Sequence, residues 1–177
     1  LHRTAPLADF YEYQARLLAE ELKISSQDAK KMIQENVYDG MKPFFKKIKA
    51  FKGVHALFEE CKKHNIKIGI LSDFPPEQKG DIWGLAPMCD VIMGSEECGA
   101  LKPSIYTFGS FAKALNVPPE KILYVGNSIR ADINGAKKAG MKTAYIMPFW
   151  RKILNKKLAQ ADISFKNYRQ LKKIVLE

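Results

Sequence analysis

The sequence has little cysteine, no long apolar run and fewer acids than bases in its 177 residues. No stretch approaches the roughly 20 consecutive apolar residues that cross a bilayer, and no charged start leads into an apolar segment as in a secretory signal. Membrane association is therefore not expected, and the expected location is the cytoplasm. The three cysteines, at 61, 89 and 98, are odd in number and widely spaced, and no two are close enough to form a metal knuckle or a thiol redox motif. They are expected to be free, mostly buried thiols. Repeats and low-complexity segments are absent as well. So is a starting methionine: the chain opens Leu1-His2-Arg3, and the natural N-terminus is expected upstream.

What is present describes a globular protein. The apolar fraction of 46% and charged fraction of 27% are those of a folded domain. The length suits one compact domain with room for a small appendage. A net charge of +10 favours anionic partners through long-range attraction. By itself it does not choose between a phosphorylated metabolite and a nucleic acid. The basic residues of Lys46-Lys47-Ile48-Lys49, Arg151-Lys152 with Lys156-Lys157, and Lys172-Lys173 alternate with apolar ones at helical spacing. They read as solvated helix faces, and nucleic acid is not the expected partner.

Residues 1–50 carry helical periodicity only. Leu7, Phe10, Tyr11, Leu17, Leu18 and Leu22 recur at three- and four-residue steps, and Ser25 with Asp28 opens a second helix with the stripe Ala29, Met32, Ile33 and Val37. Asp39-Gly40 stops it, and a short basic helix follows over 42–49. Tyr11, Tyr13 and Tyr38 read first as core residues of this unit and second as lining an entrance. From Phe51 onward strands and helices alternate. Val54, Leu57, Phe58 and Cys61 form a buried stripe, Asn65 suits a left-handed helix end, and Ile66 to Leu71 is a nearly continuous apolar strand ending in Ser72-Asp73. Val91-Ile92-Met93 is the second strand. A helix with Ile105, Phe108, Phe111, Ala112 and Leu115 inward follows Lys102-Pro103. Ile122 to Val125 is a strand whose helix ends at Gly140, Thr143 to Met147 another, and 163–165 an edge strand between helices over 151–161 and 168–176. This order predicts an α/β protein with a three-layer parallel sheet, 51–177, preceded by a helical unit, 1–50.

In a parallel sheet the C-terminal ends of all strands share one edge, where open α/β proteins bind their ligands. Three polar groups therefore can meet: Ser72-Asp73, Lys102 in its loop, and Asn127 with Asp132 after Gly126. A hydroxyl with neighbouring N–H groups can hold a phosphate oxygen, a lysine can balance its charge, and carboxylate or amide oxygens can hold Mg2+. Singly, each has an ordinary explanation as a turn residue, a solvated lysine or a helix-start acid. In order and together they suit phosphoryl transfer.

These segments resemble the haloacid dehalogenase-like (HAD) hydrolases, most of which are Mg2+-dependent phosphatases. Ile68 to Asp73 resembles the family's second motif, Leu101 to Phe108 the third, and Tyr124 to Asp132, continuing to Met141, the fourth. Residues 1–50 are similar to the helical cap such proteins carry. The resemblance implies a small phosphorylated substrate. It also implies phosphate binding by Ser72, Asp73 and Lys102, catalytic roles for Ser72 and Lys102, and metal binding by Asn127 and Asp132.

Two departures stand out. Asn127 occupies a position where the family usually has an acid, which weakens the negative charge offered to Mg2+. Asp-x-Asp, the family's first motif with its nucleophile and general acid, occurs nowhere in the chain. The expectation is that a central first strand bearing it precedes Leu1 and associates with this chain, and that the chain as it stands is inactive without it. Two further readings stay open: a metal-independent 2-haloacid dehalogenase, which Asn127 would suit, and a catalytically silent protein that binds anionic partners.

Overall fold

The computed structural model describes residues 6–177; Leu1-His2-Arg3, and the expectation attached to them, lie outside the described residues. Three helices come first: α1 Phe10–Leu22, α2 Ser26–Ile33 and α3 Lys42–Lys47. The Asp9 side chain accepts the Glu12 N–H at 2.8 Å to start α1, and Ser25 Oγ accepts the Asp28 N–H at 3.0 Å to start α2, each satisfying an otherwise orphaned helix donor. Ala15, Ala19, Ala29 and Ile33 are buried between α1 and α2, with Tyr11 and Tyr38 packed on them and meeting each other edge to face at 5.5 Å. Tyr11 and Tyr38 are thus packed at this core. Two members of the expected α2 stripe are not buried. Met32 flanks the Ala29–Ile33 contact line, and Val37 falls in the wider π-type turn Gln34–Asp39, which departs from the 3.6-residue period; they are 40% and 41% exposed.

Five parallel strands follow: β1 Gly69–Ser72, β2 Val91–Gly94, β3 Leu123–Gly126, β4 Lys142–Ile146 and β5 Ile163–Phe165. They form two sheets. β1 pairs with β2, Gly69 opposite Val91 and Ser72 opposite Gly94. β3, β4 and β5 pair in that order, Gly126 lying opposite Tyr145 and Ala144 opposite Ile163. β1 and β3 are not hydrogen-bonded to each other.

β1 starts three residues later than the apolar run predicts. Asn65 takes the left-handed conformation, φ 55°, and the Ile66 N–H closes back on the Cys61 carbonyl at 2.9 Å. Ile66 is therefore used in capping α4, Val54–Lys63, and is exposed.

Helices cover both faces. On one, α5 Ile105–Leu115 and α6 Asn134–Lys138 bury Phe108, Phe111, Leu115 and Ala136 with Tyr124, while Leu71 of β1 and Val91 and Met93 of β2 pack on the same cluster. On the other, Leu57 of α4 and Leu171 of α8, Tyr168–Leu176, meet Ala144, Ile146 and Phe165, with Leu123 and Val125 packed alongside. Alternate residues of β3 thus face opposite helical layers, as the pleat requires. Ile105 is 54% exposed, not inward, because it is the first residue after the Ser104 cap and the buried stripe begins at Thr107. The basic helix expected over 151–161 is one short element, α7 Phe149–Ile153. Beyond it the chain curls back, Arg151 donating to the Lys156 and Lys157 carbonyls at 3.2 Å. All three cysteines are free and partly buried.

Candidate active site

β1 and β3 end at the same edge, and the polar groups after them are joined by the loop that follows β2. Ser72, the last residue of β1, is buried, and its Oγ accepts the Phe74 N–H at 3.0 Å. The carboxylate of Asp73 accepts the backbone N–H of Lys102 at 3.0 Å. Lys102 then reaches across to the other sheet. Its Nζ donates to Asp132 Oδ1 at 2.8 Å and to the Tyr124 hydroxyl at 3.3 Å.

Asp132 is held from its own side by the turn that carries it. The second oxygen of its carboxylate accepts the Asn127 N–H at 3.1 Å and the Ser128 N–H at 2.9 Å. Ser128 Oγ accepts the Ala131 N–H, which starts the wide turn Ile129–Ile133. Gly126 is needed here, because a Cβ at that position would run into the Asp132 side chain. The strand end and the carboxylate could not approach this closely with any other residue.

The electrostatics of the bridge follow from burial. Only 11% of the Lys102 side chain and 7% of the Asp132 side chain are exposed. Burial opposes the Lys102 charge, but the Tyr124 hydroxyl and the Asp132 carboxylate outweigh it and hold the lysine above its ordinary range. Burial likewise raises the Tyr124 phenol.

Ser72, Asp73, Lys102 and Asp132, all singled out by sequence, thus lie along one seam. Asn127 contributes its backbone N–H, while the residue is exposed. Two neighbours escape sequence reading. Tyr124 looks like one more apolar strand residue, although strand alternation places it two positions before Gly126 and on the α5 face. Lys79 donates to Ser72 Oγ from the end of the single 3-10 turn Pro76–Lys79, too short to show a period.

The helical unit sits over the same edge. Tyr38 donates to Glu96 at 2.5 Å just beyond β2, Gln78 donates to the Val37 carbonyl at 3.3 Å, and Phe45 meets Phe74 edge to face at 5.2 Å.

Residues 4–146 match the family model described as haloacid dehalogenase-like hydrolase. The chain belongs to this family. Among HAD relatives, the glyceraldehyde 3-phosphate phosphatase of Pyrococcus furiosus is 31% identical over 127 residues, 70% of this chain and 50% of that protein. The chain therefore spans about half the length of this curated relative. Solved HAD structures share the fold. A phosphatase of the family from Thermococcus onnurineus superposes with a TM-score of 0.64 at 23% identity, covering 93% of this chain and 87% of that one. A 2-haloacid dehalogenase from Pseudomonas syringae gives 0.67 at 20% identity, covering 94% and 71%.

Mg2+, which the family implies, finds a partial donor set in this HAD chain. Among the described residues no group of three or more His, Cys, Asp or Glu side chains is placed to hold a metal. Both Asp132 oxygens are already engaged by Lys102, Tyr124 and two backbone N–H groups.

Proposed function

We propose that this chain belongs to a phosphate monoester hydrolase. The observation carrying this reading is the Lys102 bridge: one buried lysine joins the Asp73 and Asp132 strand ends beside the Ser72 hydroxyl. A doubly charged phosphoryl group at that seam would have a hydroxyl and the Asp73 N–H to hold its oxygens. Lys102 would stabilise the charge that builds up on them during transfer. The nucleophile would be an aspartate on a strand seated between the edges of β1 and β3, which among the described residues pair with no further strand.

Its carboxylate oxygen attacks phosphorus, the bond from phosphorus to the ester oxygen breaks, and a second acid gives that oxygen its proton. Water then hydrolyses the aspartyl-phosphate to aspartate and inorganic phosphate. Mg2+ would supply positive charge near the phosphoryl oxygens, drawing on Asn127 and Asp132 plus a ligand from the strand that bears the nucleophile. The helical unit, acting as a cap, would exclude bulk water and select the leaving group. The naming of relatives as glyceraldehyde 3-phosphate phosphatases supports small phosphorylated metabolites as substrates.

The test is turnover of small phosphate monoesters by the full-length protein, with Lys102→Ala as the diagnostic variant. Hydrolysis in the wild type that drops by two or more orders of magnitude in the variant is expected. Halide release from 2-halo acids that survives EDTA, with no phosphatase turnover, would replace this reading by the dehalogenase.

A further inference from the structure

Lys79 is a half-buried cation beside Ser72 with no ion-pair partner among the described residues. Its Nζ donates to Ser72 Oγ, whereas its neighbour Lys102 is paired with Asp132 at 2.8 Å. Among the described residues Lys79 has no ion-pair partner of its own. The acid that acts on it most, Asp73, already has one oxygen engaged by the Lys102 N–H. Burial, followed by repulsion from Lys102, lowers its pKa. A charged ammonium group held in such a place without a counter-charge is costly unless an anion joins it.

The surroundings show where that anion would sit. Ser72 Oγ accepts from both Lys79 and the Phe74 N–H, so its own hydroxyl hydrogen remains for a further acceptor at the same spot. On its other side the Lys79 ammonium faces the Phe45 ring of α3, 5.5 Å from its centroid. A cavity of about 410 Å³ opens there between α3 and the turn after β1, its wall carrying the acids Glu77 and Asp81 along with Lys46, Lys79 and the rings of Phe45 and Trp83. Lys79 therefore stands between the serine at the strand end and the space beneath the helical unit.

We propose that Lys79 is a phosphate-binding residue. Together with Ser72 it grips an oxygen of a phosphate monoester dianion, with the leaving group lying in the cavity under Phe45 and Trp83. This rests on the phosphatase reading and adds to it a second cation beside Ser72.

The experiment is calorimetric titration of inorganic phosphate into the full-length protein and its Lys79→Met, Lys79→Arg and Lys46→Met variants, in EDTA, with melting temperatures measured alongside. Loss of a charge-assisted hydrogen bond predicts phosphate binding about ten- to a hundredfold weaker in Lys79→Met. Lys79→Arg should restore most of it, and Lys46→Met, which removes the same charge from the cavity wall, should bind as the wild type does. A purely structural Lys79 would lower the melting temperature of Lys79→Met and leave the affinity of the folded protein unchanged, which overturns the proposal. Equal weakening in Lys46→Met overturns it too, since it would mean general attraction to positive charge, and so does a wild type that binds no phosphate. If Lys79→Met binds normally while Lys102→Ala abolishes turnover, the phosphatase reading stands and the role of Lys79 falls.

Discussion

The two sheets are built alike and held differently. In each, an aspartate immediately before one strand ties the neighbouring strand to it: Asp90, ahead of β2, accepts the Ile68 N–H at 2.8 Å, and Asp162, ahead of β5, accepts the Thr143 N–H at 2.8 Å. Parallel strands have no hairpin to set their register, and a carboxylate at the strand start supplies one fixed point. Beyond that the sheets diverge. Four of the five β4 residues are buried, covered by helices on both faces. β1 and β2 are mostly half-buried, and burial is reached only at their ends, Ser72 and Gly94. The smaller sheet is joined to the larger by side chains of α5 and by Lys102, not by backbone pairing. The proposed chemistry sits at this seam, where polar groups are not used up by a hydrogen-bond ladder.

The sharpest way to break this arrangement is to remove the shared core. Phe108 is fully buried, packs edge to face on Tyr124 at 5.0 Å, and belongs to the cluster that touches both sheets. Phe108→Ala should cost about 3–5 kcal/mol in urea unfolding; a loss below about 1 kcal/mol would mean the sheets do not share a core. Next comes the bridge itself. Asp132→Ala leaves the Lys102 ammonium buried without its counter-charge and should destabilise by about 3 kcal/mol. Asp132→Asn, which keeps an acceptor, should cost less, and equal losses would show that the charge contributes nothing.

The smallest effects test the likeness between the sheets. Asp90 and Asp162 are both exposed, so Asp90→Asn and Asp162→Asn should each cost less than about 1 kcal/mol at neutral pH, and less still in high salt. Both carboxyls are held below their ordinary range, Asp90 first by the Ile68 N–H and Asp162 first by the Thr143 hydroxyl. A lowered folded pKa means that the stabilisation is complete above the unfolded carboxyl pKa and is lost as pH falls through the folded value. The gap between wild type and each variant should therefore be constant from neutral pH down to about pH 5 and close below about pH 4. Unfolding midpoints across that range measure it, and a gap that widens in acid would contradict the assignment.

Much of this was legible locally. Ser25 as a helix cap, Asn65 and Gly140 in left-handed conformations, and polar groups at the ends of β1 and β3 all follow from turn chemistry and short-range period. Met32, Val37 and Ile105 were misplaced because periodicity identifies a stripe but not where the partner helix stops, nor where a helix widens into a π turn. Lys79 gave no signal, since a lysine at the end of a single 3-10 turn looks the same whether it faces solvent or a buried serine.

Sequence alone therefore determined the family, the alternation of strands and helices, and the residues Ser72, Asp73, Lys102, Asn127 and Asp132 as candidates, because motif spacing, caps and apolar runs act over a few residues. Tertiary structure decided which of them touch. The Lys102–Asp132 pair spans 30 residues and the Lys102–Asp73 contact 29. Such contacts depend on how crossover helices bring separate strand ends to one edge, and on the packing of Phe108 and Tyr124 that holds the two sheets together across the seam.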